Sequence, residues 1–193
     1  KKPDVGKTYS KKVLPTSDEF EIKTLGMQWG WNHNPVPDKW SLTEKPGFLR
    51  LKTVKVVDSL QKAPNTLTQR MFAYYSDSLA SIATIKMDFG KMKEGDIAGL
   101  AVFADPYAYI GIEKGSGQNY IIMVDNGKKI DSSVVMDSSI YLHASAIYGS
   151  GAAHYFDGKA APGTGDATFS YSLDNKSFVN IGNVLKMRFS MKI

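Results

Sequence analysis

The stretch richest in chemistry is Trp31-Asn32-His33-Asn34, which sets an aromatic ring beside three polar side chains. Sugars present apolar C–H faces that stack on such rings, while Asn, Gln, Arg and His bond their hydroxyls, so this combination suits a carbohydrate-contacting surface. Further aromatic groups stand at Trp40, at Phe72, Tyr74 and Tyr75, and at Tyr107 and Tyr109. A packing role competes with recognition. Trp29 and Trp31 are two apart and would share one face of a strand, where large rings also fill a core. Core packing is the expectation for Trp29; Trp31, beside the polar loop, fits either use, as does Trp40.

Catalytic patterns are thinner. Hydrolysis by paired carboxylates needs two side chains about 5 to 10 Å apart across the sugar bond. Asp18-Glu19-Phe20-Glu21 comes closest, since a strand here would put Glu19 and Glu21 on one face, but the E-x-D-x-x-E pattern of sugar-cleaving sandwiches is absent. Gly149-Ser150-Gly151 lacks the G-x-S-x-G turn of a serine nucleophile. His33, His143 and His154 are scattered without H-E-x-x-H spacing and read as surface or packing residues. Gly115-Ser116-Gly117 and Gly163-Thr164-Gly165 have neither the helix nor the lysine of a phosphate cradle, and read as loop tips. No catalytic residue is assigned. Calcium is the one candidate cofactor: Asp18, with Glu19 and loop carbonyls, offers oxygen ligands at a sandwich edge, although no spacing demands the ion.

Strands must position these groups. Leu185, Met187, Phe189 and Met191 alternate with Lys186, Arg188 and Ser190; Ala167, Phe169, Tyr171 and Leu173 alternate with Thr168, Ser170 and Ser172; Ile85, Met87 and Phe89 alternate with Thr84, Lys86 and Asp88. Each run covers one face of a sheet. Ile97–Phe103 and Tyr120–Val124 are apolar at nearly every position, which predicts central strands covered on both faces. Asp125-Asn126-Gly127 predicts a type I′ hairpin turn, Leu173-Asp174-Asn175-Lys176 another bend, and Asp58–Lys62 one short helical turn. No longer window has a 3.6-residue stripe, and no fixed repeat points to a propeller or solenoid. A dozen or so short strands fit an all-β, two-sheet antiparallel β-sandwich of jelly-roll type.

The 193 residues, 42% hydrophobic and 22% charged, suffice for one sizeable core. Residues 1–17, polar and containing Pro3 and Pro15, read as a linker or lead-in from a preceding domain; residues 18–193 read as the sandwich. A formal charge of +5 raises the question of nucleic acid, but the basic residues fall in scattered pairs such as Lys11-Lys12 and Lys128-Lys129, with no patch to track phosphates. No stretch approaches the roughly 18 to 20 apolar residues of a membrane helix. The lack of cysteine removes thiol chemistry and disulfides but does not separate cytoplasm from an exported bacterial setting, periplasmic or secreted, so the compartment stays open.

With these readings in place, LGMQWGWNHNPVPDKWSLTEKPGFLRLK (25–52), NTLTQR (65–70) and KMKEGDIAGLAVF (91–103), in this order, resemble the C-terminal concanavalin A-like domain of glycoside hydrolase family 43. Ala108-Tyr109-Ile110-Gly111-Ile112 and FSYSLDNKSF from Phe169 extend the likeness over nearly the whole chain, and VGKTYS with SDEF resembles the junction after the catalytic domain. The resemblance implies a parent enzyme of β-xylosidase or α-L-arabinofuranosidase type that acts on xylan or arabinoxylan. Catalysis would belong to a five-bladed propeller, which no part of this chain resembles, and the sandwich would pack on that propeller as an accessory domain. Positions that would then face its pocket or a xylo- or arabino-oligosaccharide are Gln28, Trp31, Asn32, Asn34, Gln69 and Arg70. An independent carbohydrate-binding module and a sandwich glycosidase in its own right are the alternatives.

Two departures from the family pattern carry expectations. The pattern usually continues beyond the strand equivalent to Leu185–Ile193, so the sandwich is expected to lack its last strands and to expose an edge to a partner chain. Met71-Phe72-Ala73-Tyr74-Tyr75 replaces a smaller Gly- or Pro-containing loop, which adds Tyr74 to the candidate sugar contacts.

Overall fold

The computed structural model describes residues 6, 15–56, 59–69, 80–103, 105–148 and 164–188. Most of the lead-in, Asp58, Arg70, the 71–75 aromatics, His154 and the 189–193 end of the final alternating run lie outside these. The chain divides into two compact units, Lys1–Val54 with Pro64–Arg70, and Lys55–Ala63 with Met71–Ile193.

The first unit is built from short strands and turns. β1 (Trp29–Trp31) pairs antiparallel with β4 (Leu67–Gln69), and β2 (Trp40–Ser41) pairs with β3 (Arg50–Leu51). Between β1 and β2 a 3-10 turn, Pro37–Lys39, begins on a proline whose ring presets φ. Asn65 holds that turn. Its Oδ1 accepts the Val36 N–H at 3.0 Å and its Nδ2 donates to the Lys39 carbonyl at 3.2 Å. The Asn65 backbone is left-handed (φ +58°), a conformation that asparagine tolerates better than most residues.

The second unit is a two-sheet sandwich. β6 (Ile97–Val102), β7 (Ala108–Gly115), β8 (Gln118–Asp125) and β9 (Lys128–Val135) form one sheet in that order. In the other, β10 (Ser139–Tyr148) lies between β5 (Ala80–Asp88) and β11 (Thr164–Ser172), and β11 also pairs with β12 (Val179–Asn180) and β13 (Leu185–Arg188). Every pairing is antiparallel. Alternation sends one side chain in two inward, so the registers stack rows such as Leu100–Ile110–Met123 in one sheet and Ala144–Phe169 in the other. Ile110, Ile112, Ile121, Met123, Ile140, Leu142, Phe169 and Leu185 meet in one core. Burying each such side chain stabilises the fold by about 1.5–3 kcal/mol.

Turn chemistry closes the hairpins. Asn126 (φ +47°) and Gly127 (φ +81°) link β8 to β9 in the conformation their types favour, and Ser116 (φ +51°) and Gly117 (φ +75°) take the same left-handed pair between β7 and β8, where the glycine alone favours it. The expected helical turn is present as the 3-10 segment Leu60–Lys62. Among the described residues there is no α-helix, and no helix is long and apolar enough to cross a membrane.

β6 departs from expectation: among the described residues it is an edge strand, and Ile97 on its outer face is 45% exposed. Ile97 and Gly99 on that face are exposed, so the apolar run does not mark two covered faces. Gly99 pairs with Gly111, and a Cβ on Gly99 would lie 2.0 Å from the Ile110 carbonyl oxygen. The position between Ala98 and Leu100 must therefore be glycine.

Candidate functional site

The first unit carries most of the residues expected to contact sugar. Trp31 is half-buried on β1, opposite Leu67, and its ring tilts against that of Trp40, with centroids 5.2 Å apart at 55°. The Asn32 N–H donates to the Thr66 carbonyl at 3.0 Å, which fixes the exit from β1; His33 and Asn34 then lie exposed. Gln69, half-buried on β4 opposite Trp29, donates from Nε2 to the Thr16 carbonyl at 2.9 Å. Gln28 donates to Asp18 Oδ2 at 3.3 Å. Gln28, Trp31, Asn32, Asn34 and Gln69 thus belong to β1, β4 and the adjoining loop. Arg70 and Tyr74 lie outside the described residues.

Asp18, the candidate calcium ligand, is engaged by N–H donors. Its Oδ2 accepts the Trp29 indole N–H at 2.8 Å in addition to Gln28, and its Oδ1 accepts the Phe20 N–H at 2.8 Å. The last contact is an Asx turn, and Phe20 takes φ +53°. That turn replaces the strand on which Glu19 and Glu21 were expected to share a face, and both are exposed. Among the described residues, no three His, Cys, Asp or Glu side chains converge as a metal site.

Trp29 also differs from expectation. It is half-buried rather than part of an apolar core: its ring stacks on Phe20 at 5.7 Å and 28°, while Asp18 holds its N–H. An indole has a polar edge that needs a partner, and here the partner comes from the Asx turn. Trp29 and Trp31, neighbours in sequence, therefore serve different ring pairs.

Elsewhere, His143 bonds Thr84 Oγ1 through Nδ1 at 2.8 Å and tilts against Phe178, a packing arrangement on the sheet surface. Asp174, in the expected bend, accepts the Ser177 and Lys176 N–H groups and the Ser172 hydroxyl. These bonds, that from Ser177 foremost, hold its carboxyl far below the ordinary carboxylate range. A concavity on the four-stranded sheet, lined in part by Glu113, Tyr120 and Lys129, was not foreseen. Alternation marks Glu113 and Tyr120 as facing residues, but only the strand register brings them together.

The two antiparallel sheets packed on one core define an all-β sandwich domain. The family model "Beta xylosidase C-terminal Concanavalin A-like domain" matches residues 17–192, and the chain belongs to that family, the C-terminal domain of glycoside hydrolase family 43 enzymes. A β-xylosidase of Formosa agariphila is 28% identical over 196 residues, covering 90% of this chain and 30% of that protein. Among solved structures, a bifunctional GH43-CE protein of Bacteroides eggerthii superposes with a TM-score of 0.75 at 33% identity, over 90% of this chain and 21% of that one. A GH43 glycoside hydrolase engineered to display both endo-xylanase and exo-arabinofuranosidase activity superposes with a TM-score of 0.73 at 30% identity, over 94% of this chain and 36% of that one. The chain thus spans little more than a third of these relatives, or less.

Proposed function

We propose that this chain serves as the accessory sandwich of a family 43 hydrolase acting on xylan- or arabinoxylan-type polysaccharides, packs on that enzyme's catalytic propeller, and shapes its substrate pocket without catalysing alone. The observation that carries this reading is the family match over residues 17–192, in relatives of which this length is only 30% or so and one of which is named a β-xylosidase. The loop after β1 supports the second half of it. Asn32 and Asn34 put polar residues on the short segment that follows Trp31, which is held at both ends, by the Thr66 carbonyl and by Asn65. Gln28, Gln69, Arg70 and Tyr74 complete the set assigned to substrate or propeller contact.

The reading requires a stable interface between chain and propeller. Sedimentation velocity of the chain mixed with a separately expressed propeller domain of the parent enzyme tests this, with a one-to-one complex as the expected result. Two independently sedimenting species would contradict it.

A further inference from the structure

The concavity on the four-stranded sheet is built from residues outside the set just assigned. Glu113, Gly115, Ser116, Tyr120, Lys129 and Ser132 line a pocket of about 230 Å³ on the face opposite the core. Strand register assembles it. Glu113 and Tyr120 are direct partners across β7 and β8, and Ser132 of β9 stands opposite Ile122.

A β-bulge supplies the remaining group. Met123 pairs with Asp131 but Val124 pairs with Lys129, which leaves Ile130 as the extra residue. In an unbroken ladder Lys129 would oppose Asp125, on the same side of the sheet as core residue Met123. The bulge shifts it beside Val124, onto the outer face. From there its Nζ reaches diagonally across β8 to the Glu113 carboxylate. The rim is held as well: the Glu94 carboxylate accepts the Ser116 N–H and, at 3.3 Å, the Gly117 N–H. The Tyr120 hydroxyl donates to Gln118 Oε1 at 3.1 Å.

The lining selects a class of ligand. A phenol ring offers a stacking face, Glu113 an acceptor, Lys129 a donor, and Ser116 and Ser132 hydroxyls that do both. The ion pair cancels the local charge, which removes any preference for an anion. The volume lies below the roughly 300–1,000 Å³ of pockets that enclose drug-sized molecules, so the pocket suits one ring rather than a chain.

We propose that this pocket is a second carbohydrate-binding point that holds a single neutral sugar residue of the polysaccharide. The choice of a sugar over other polyols rests on the glycoside hydrolase reading above.

The test is a 15N-HSQC titration of the 193-residue chain with methyl β-D-xyloside and methyl α-L-arabinofuranoside. Saturable shifts at the Ser116, Tyr120 and Ser132 amides are expected with at least one sugar. Glu113→Gln, which keeps the side-chain shape, should weaken binding about tenfold or more, with an unchanged thermal midpoint showing that the variant folds. Lys186→Gln on the other sheet should leave binding unaltered. No saturable shift at these amides up to about 100 mM of either sugar, or binding indifferent to Glu113→Gln, overturns the proposal. Failure here alongside a stable complex with the propeller removes the pocket and spares the accessory-domain reading. Binding here without such a complex does the reverse.

Discussion

Replacing Asn65 tests how the candidate loop is held. The Asn65 side chain makes two hydrogen bonds that clasp the turn before β2, at a residue that is 7% exposed and left-handed. Asn65→Ala removes both bonds, at a net cost of about 1 kcal/mol each, and adds about 1 kcal/mol for placing alanine in the left-handed region. The sum is about 3 kcal/mol. Asn65→Gly loses the same two bonds but carries no left-handed penalty, so about 2 kcal/mol is expected. Urea unfolding followed by tryptophan emission is the appropriate assay, because Trp29, Trp31 and Trp40 all fall within the first unit. With a slope of about 1–3 kcal/mol per molar, the alanine variant should lose about 1 M or more of its midpoint. A loss under about 1 kcal/mol for alanine, or equal losses for the two variants, would refute the reasoning.

Two further outcomes follow from the second unit. Leu142 is fully buried between the sheets, so Leu142→Ala should cost about 2–5 kcal/mol in far-UV circular dichroism melts or urea unfolding; a loss under about 1 kcal/mol would mean that the core does not close around it. Asp174 should titrate, by carboxyl 13C NMR, well below the ordinary value of about 3.9. Because its folded value is depressed, its contribution to stability is present above the ordinary value and fades as pH falls through the folded one, and a midpoint near about 3.9 would remove the claim.

Much of the sandwich was legible because its strands follow period two. Ala167, Phe169, Leu185 and Met187 are buried as their alternation predicted, and Asn126-Gly127 turns the chain as its residue types require. The edge position of β6 was not legible, since a run of small and apolar residues does not distinguish a central strand from an edge strand. Local chemistry also hid the Asx turn: Asp18 bonds the backbone two residues on and breaks the strand that Glu19 and Glu21 would have shared. The aromatic-amide segment was plain from residue types, whereas the partners of its rings, Phe20 for Trp29 and Trp40 for Trp31, depended on tertiary packing. The Glu113–Lys129 pocket depends on a one-residue bulge, which shifts a side chain from one face to the other.

On the proposed reading, this chain supports catalysis that it does not itself perform. Hydrolysis of nitrophenyl β-D-xyloside and α-L-arabinofuranoside should be measured for the chain alone, for the parent propeller alone, and for the two together. No release above background is expected from the chain, and a higher kcat/KM for the pair than for the propeller. Sugar release by the chain alone, or a propeller whose kcat/KM is unchanged when the chain is added, would contradict it.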